Sequence, residues 1–220
     1  MANPHDVQIR AVSWYALPVR TRVPLKFGHD TLTEVVCARV RLTVSRADGQ
    51  RGEGWGETPL SVQWVWPSTL SYGVRLRALE EFCDLLTEAY AQFPARGHAM
   101  EIGHDFIEAV LPRLLATFNE SLPAGVRLPK LAALVCASAF DLALHDAYGL
   151  ANEVPTYLTY ERPWMNHDLS AYLTPADDAP AVSFAGKYPA DFFRRPAPTD
   201  LLAWHLVGGL DFLTVAEAGS

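Results

Sequence analysis

Cysteine, lysine and long apolar runs are what this 220-residue chain has least of. Its three cysteines, Cys37, Cys83 and Cys136, are odd in number, far apart and without a C-x-x-C pair. That removes a disulfide framework and a cysteine-built zinc site, and the three read as small buried hydrophobes in a reducing cytoplasm. The only lysines are Lys26, Lys130 and Lys187, and no five basic residues run together. With a net charge of −7 and both signs interspersed, the expected partners include neither nucleic acid nor an anionic membrane. The longest apolar stretch, near Leu131, reads as too short to cross a bilayer. Met1 to Arg10 lacks the apolar core of a secretory signal. No G-x-S-x-G elbow occurs, so a hydrolase triad has no anchor.

What is present is ordinary for a globule with a core: half the residues are hydrophobic and a fifth are charged. Val7 to Leu17 alternates as a half-buried strand does, and Pro18 is expected to stop it. Glu34 to Ser45 alternates more cleanly, with Val36, Ala38, Val40, Leu42 and Val44 on one side and Arg39, Arg41 and Thr43 on the other. Asp48-Gly49 predicts a hairpin turn, and a third strand follows through Gly52 to Glu57. Three helical patterns come next. Leu79, Phe82, Cys83, Leu86 and Tyr90 form one apolar stripe. Phe106, Val110, Leu111, Leu114, Leu115 and Phe118 form another, with Pro112 forcing a kink or a restart. The third is Leu131 to Tyr148, apolar nearly all round, with Asp141 and His145 four apart on one face and Gly149 placed as a stop. A sheet followed by helices is an α+β order: a three-stranded antiparallel meander, then a helical bundle.

The run Ala137-Ser138-Ala139-Phe140-Asp141-Leu142-Ala143-Leu144-His145-Asp146-Ala147-Tyr148-Gly149, followed by Val154-Pro155 and Tyr157-Leu158, resembles the signature helix of the mandelate racemase and muconate lactonizing enzymes. These belong to the enolase superfamily. Leu150 departs from the basic residue usual there, and Thr159-Tyr160-Glu161 replaces the usual Leu-Leu-Gly-Gly. The resemblance covers roughly Val7 to Leu173. It implies a capping domain over residues 1–150 and, over 151–220, the incomplete start of a (β/α) barrel with a Pro-rich insertion at 175–200. Asp168 to Thr174 is expected as the first barrel strand; a barrel needs eight, so the chain reads as the front part of a longer protein.

The resemblance further implies a Mg²⁺-dependent racemase, dehydratase or cycloisomerase that takes the proton α to a carboxylate. Its partner would be a small carboxylate substrate, and a homo-oligomer is compatible with it. No Lys-x-Lys and no spaced series of acids follows Asp168, so neither base nor metal ligands are expected within the chain, and the chain alone is expected to be inactive. By resemblance, the segment 18–33 is a substrate-shaping lid carrying Phe27 and His29, and Glu57, Thr58 and Trp64 face the ligand. Cations in that lid (Arg20, Arg22, Lys26) suit a carboxylate. The plainer alternatives stand beside these: a solvated surface loop, and Glu57 as a structural ion-pair partner. For the chain as a whole, the alternative is a non-catalytic α+β binding or subunit-interaction module.

Other patterns carry less. Gly52-x-Gly54-x-Gly56 lacks the spacing and following helix of a phosphate loop, and alternate glycines in a strand mark close backbone packing. His104 and Glu108 have i,i+4 spacing but no third ligand for a metal. Asp141 and His145 read as a mutually satisfied structural pair.

Overall fold

Alternation of small and β-branched residues carries the chain up and down three times before any long helix forms. A computed structural model describes residues 3–27, 30–179, 181–203 and 214–218. Strands β1 (Val7–Phe27), β2 (Asp30–Arg46) and β3 (Arg51–Pro59) make the antiparallel meander. A two-residue strand, β4 (Arg96–Gly97), adds to the far side of β1 at Val7 and Gln8 and completes the order β3-β2-β1-β4. The turn between β2 and β3 forms as its sequence predicts. Gly49 takes φ +89°, the Asp48 carboxylate accepts from the Gln50 amide at 3.0 Å, and Arg46 pairs with Asp48 at 2.7 Å.

Pro18 does not end the first strand. Beyond Gln8 β1 is an edge strand, and a proline at an edge withholds a donor that no neighbour needs. Pairing therefore runs past Pro18 opposite Val36, crosses a bulge between Arg20 and Leu25, and resumes to Phe27 opposite Asp30. The expected lid loop is a two-stranded ribbon.

Helices α1 (Val62–Val65) and α2 (Tyr72–Gln92) follow. The Ser71 side chain caps α2, and its predicted stripe is buried from Leu79 to Tyr90. Helix α3 (Ala99–Asp105) runs through a π turn (Phe106–Val110) into α4 (Leu111–Ser121). The π turn is how Pro112 is accommodated: the Leu111 amide reaches back five residues to the Phe106 carbonyl, shifting the ladder just ahead of the residue that cannot donate. Helix α5 (Lys130–Ala151) lies across the inner face of the sheet. It is long and apolar enough to cross a membrane, but 56% of its most apolar window is buried within the fold. Gly149 does not stop it. The helix continues to Ala151, and Gly149 is the place where Val154 and Thr156 come back against its backbone.

After α5 the chain has no strand among the described residues. Asp168 to Thr174, expected as a barrel strand, instead starts with a 3-10 turn, Leu169–Ala171. Its cause is local: the Asp168 carboxylate accepts from the Ser170 amide at 3.0 Å and the Gly186 amide at 2.6 Å, and that side-chain bonding replaces a ladder. The segment is tied to the rest of the fold by Glu101. Its carboxylate accepts from the amides of His98, Asn166 and His167 and from the Asn166 side chain, at 2.6–3.0 Å.

The contact between β3 and α5 has no slack. A Cβ on Gly52, Gly54 or Gly56 would overlap the α5 backbone at Ala139, Ala143, Ala147 or Ala151. Overpacking usually costs ~1–3 kcal/mol; with backbone on both sides, G54A is expected to cost at least about 3 kcal/mol. G49A meets nothing within 4 Å and should cost only its left-handed backbone, about 1–2 kcal/mol. Urea unfolding of the two variants checks the ranking; equal losses would mean that α5 can move away from the sheet.

Candidate functional site

The ribbon formed by the outer halves of β1 and β2 leaves a groove of about 420 Å³ against α2, lined by Pro18, Val19, Arg20, Glu34, Val35, Val36, Tyr72 and Leu76. Its walls are largely apolar, with Arg20 opposite Glu34 in the strand register. Burial, and next the Glu34 carboxylate, raise the Tyr72 hydroxyl above the usual tyrosine range, so Tyr72 serves there as a neutral hydrogen-bonding group. The Leu60 amide donates to the Val36 carbonyl at 2.9 Å, which sets the start of α1 beside the groove.

The five residues singled out from the sequence separate. Glu57 and Thr58 are neighbours on β3 and therefore face opposite ways. Glu57 is on the outer face, 3.5 Å from Arg39. Thr58 is on the inner face, its Oγ1 2.8 Å from Ser138 Oγ on α5; Ser138 in turn donates to the Val135 carbonyl. Trp64 on α1 is half exposed. The backbone of Phe27 ends β1, while its side chain and all of His29 lie outside the described residues. Thr58 pairs with Ala38, eight residues along β2 from Asp30, so the ribbon tip stands on the order of 25 Å away along the strand. Glu57, Thr58 and Trp64 thus share one end of the sheet, and the tip is remote from them. Tyr72 and Leu76, which wall the groove, were hidden in the sequence inside a helical pattern read only for its core stripe.

A second polar cluster is buried beneath α5. His98 caps α3, its Nδ1 accepting the Met100 amide at 3.1 Å, so the proton sits on Nε2 and is donated to Thr159 Oγ1 at 3.0 Å. Thr159 passes its own hydroxyl proton to the Thr156 carbonyl. Burial first, and then the His145 ring, lower the His98 pKa to about 3. On α5, His145 Nδ1 lies 2.6 Å from the Tyr160 hydroxyl and Nε2 lies 3.8 Å from Asp141 Oδ1. The expected structural pair is therefore a chain of three, with Tyr160 pushed up to about 12 chiefly by burial. Burial raises Asp141 and lowers His145, each partly offset by the other. Both are driven toward their neutral forms, as suits a structural network. His104 contacts the edge of Tyr172, with ring centroids 4.8 Å apart, rather than pairing with Glu108. Among the described residues no three His, Cys, Asp or Glu side chains gather where they could hold a metal ion.

Neither a family model nor a curated protein matches this chain. Among solved structures it is similar to the L-talarate/galactarate dehydratase from Salmonella typhimurium LT2, at 15% identity and a TM-score of 0.40, over 69% of this chain and 32% of that one. It is also similar to the dipeptide epimerase from Enterococcus faecalis V583, solved with Mg and the dipeptide L-Leu-L-Tyr (16%, TM-score 0.39, 70% and 34%). A third is a mandelate racemase/muconate lactonizing enzyme-like protein from Rubrobacter xylanophilus (19%, TM-score 0.39, 70% and 34%). The chain spans about a third of the length of these structures.

The buried histidine makes stability depend on pH in a defined direction. The unfolded chain takes a proton on His98 near pH 6.5, while the folded chain holds the ring neutral down to about 3. The full contribution is thus present above pH 6.5 and is lost as the pH falls toward 3. Asp6 and Asp141, raised by burial, act in the opposite sense at acid pH. In H98N the asparagine can still cap α3 but does not titrate. Between pH 7 and pH 4 the wild type should lose about 2–3 kcal/mol more than H98N. Urea midpoints across that range measure it, and parallel curves would show that His98 is protonated in the fold.

Proposed function

We propose that this chain is the capping, substrate-selecting part of an enolase-superfamily enzyme, with residues 1–150 as the cap. The whole protein would be a cytoplasmic, Mg²⁺-dependent racemase, dehydratase or cycloisomerase acting on a small carboxylate. The observation that carries the reading is the run Ala137 to Gly149: it lies within α5, which packs against a three-stranded meander. That is the element order in which the signature helix stands in the resembling enzymes.

Within this reading the five residues set preference without doing chemistry from two separate places: Glu57, Thr58 and Trp64 from the end of the sheet, and Phe27 and His29 from the lid, whose tip stands on the order of 25 Å away along the strand. Arg20, in the groove beneath the ribbon, adds a cation suited to a carboxylate. The described residues offer the metal no set of three ligands, so none of them is assigned to it and no step of proton abstraction is assigned to this chain. The second reading, a non-catalytic binding or subunit-interaction module, draws on the segment after α5. That segment is fastened to the cap through Glu101 and Asn3 and forms a turn where a barrel strand was expected.

Two measurements separate the readings. An open frame after the Ser220 codon that encodes Lys-x-Lys and spaced acids supports the enzyme; a stop codon supports the module. Independently, the 220-residue chain with Mg²⁺, sugar acids, mandelate-like acids and muconates in D₂O should exchange α-protons at the buffer rate when followed by NMR. Faster exchange, abolished by mutating a residue of this chain, would mean that catalysis resides in these residues and that the cap assignment is wrong.

A further inference from the structure

Asp6, just ahead of β1, and Glu101, in the first turn of α3, bring two carboxylates into the interior. Asp6 is 5% exposed and Glu101 7%. The side-chain nitrogen of Asn166 donates to both, at 2.9 Å to Asp6 Oδ1 and 2.7 Å to Glu101 Oε2, so one amide holds them side by side. Buried charges are normally paired, yet among the described residues neither carboxylate has an ion-pair partner. Burial raises the Asp6 carboxyl, and Arg96, exposed and in no ion pair with it, offsets little of this.

Two phenols around this pair are without partners as well. Tyr148 of α5 is fully buried, and its hydroxyl bonds nothing among the described residues. Burial first, and then the Asp6 and Glu101 carboxylates, raise it well above the usual tyrosine range, so it stands beside both acids as a neutral group. The Tyr172 hydroxyl, likewise buried and unbonded, is raised by burial and then by Glu101 and Asp105. Buried hydroxyls nearly always have a partner, and here each lies beside carboxylates that it does not bond. Asp6, Glu101 and Tyr172 open on a cavity of about 380 Å³, whose walls include His104, Asp105 and His167. Three acids against the single arginine, Arg96, leave that cavity negative.

From the unpaired carboxylates and the two unbonded hydroxyls we infer that this cavity binds a primary ammonium, the head of a small polar amine. Glu101 supplies charge only, since the amides of His98, Asn166 and His167 and the Asn166 side chain fill its acceptor positions. Asp6 accepts from the Asn166 side chain and the Asn3 amide and keeps further acceptor capacity, and the Tyr172 oxygen adds to it. An ammonium brings three N–H donors and a compact positive charge, which meets both needs at once. A divalent metal is the poorer match, because no three His, Cys, Asp or Glu side chains among the described residues gather where they could hold one. The inference makes no use of the family resemblance and stands or falls separately from the proposed function.

Methylammonium is the probe. With so few heavy atoms its Kd can be no tighter than about 6 mM, so the full chain, ¹⁵N-labelled and at about pH 8 where carboxylates are ionised, is titrated to about 200 mM at constant chloride. The amides of His98, Asn166 and His167, which bond Glu101, should shift saturably with a Kd on the order of 10 mM. Tetramethylammonium, which has no N–H donor, and sodium should leave them in place. D6N keeps an acceptor for Asn166 and removes the charge, and should weaken binding at least about tenfold. Y172F removes a hydroxyl that bonds nothing in the empty chain, so it should melt no lower than wild type and yet bind about threefold more weakly. Circular dichroism verifies the fold of each variant, and Y172F decides the matter should D6N not fold. A titration without saturation, as a cavity holding only water would give, overturns the inference. So does saturation by tetramethylammonium, tighter binding of Mg²⁺ or Ca²⁺, or a folded variant that binds methylammonium as wild type does.

Discussion

Everything in this fold is placed by one close approach, the contact of a glycine strand with an alanine helix. On β3 the inward positions are Gly52, Gly54 and Gly56, and on α5 the facing positions are Ala139, Ala143, Ala147 and Ala151. Two residues of strand advance about 6.8 Å and four residues of helix about 6.0 Å. A glycine every second residue therefore stays in step with an alanine every fourth, with a drift of under about 1 Å per repeat. The match lets helix and strand backbones touch along three repeats. It also brings the Asp146 carboxylate to the Trp55 amide at 2.9 Å, supplying a partner for a donor on an edge strand. Such an edge is otherwise open to pairing with another chain.

Two consequences follow for the rest of the chain. Because α5 sits so low on the sheet, its polar positions cannot all reach water. Asp141 and His145 are carried into the space closed by α3 and the returning segment, where they face each other at 3.8 Å and Tyr160 bonds the His145 ring, beside the His98–Thr159 bond. The helix also sits mainly on the β3–β2 side, leaving most of β1 to α2, which Trp14 joins through a 2.7 Å bond from its indole to Asp84. The inner face is divided between two helices, and the outer face is left to Arg39, Arg41, Glu53, Tyr15 and Trp55.

Much of this was legible in the residues. The alternation of β2, the Asp48-Gly49 turn, the α2 stripe and the packing role of the alternate glycines are local or periodic signals, and each appears as read. In β1 the alternation expected on one face from Val7 to Leu17 turns over at the bulge between Ile9 and Ala11, so Val7 and Ile9 are buried while Tyr15 is exposed and Val12 and Trp14 face the core. What escaped depends on neighbours that no local pattern names. Pro18 is harmless because β1 has no partner on that side, a fact of topology. Gly149 continues the helix because Thr156 comes back against it, a contact made only after the chain has turned. Leu169 and Tyr172 have the apolar pattern of a strand, but Asp168 binds its own backbone and Gly186 first. Glu101 gave no signal at all, since a single acid in a short helix does not announce three donors arriving from a segment sixty-five residues away. In the candidate site, the neighbourhood of Glu57, Thr58 and Trp64 could be read from adjacency alone. The groove beside them could not, because its walls come from three elements.

The third strand is shorter than the other two, and this bears on what the ribbon can do. β3 ends at Pro59 opposite Cys37, so pairing from Val36 to Asp30 involves β1 and β2 only. An isolated two-stranded ribbon is marginal in water, and here Tyr72 and Leu76 of α2 support only its base. Past the bulge at Arg20 to Leu25 the ribbon has its own ladder and no described third layer. Elements that close over ligands are drawn from the least stabilised parts of a fold. The part of this chain proposed to select substrate is thus the part whose position the cap does least to fix. A carboxylate bound between Arg20 and the ribbon would supply contacts the protein itself withholds there, and the ordering of the ribbon would then depend on the identity of the ligand.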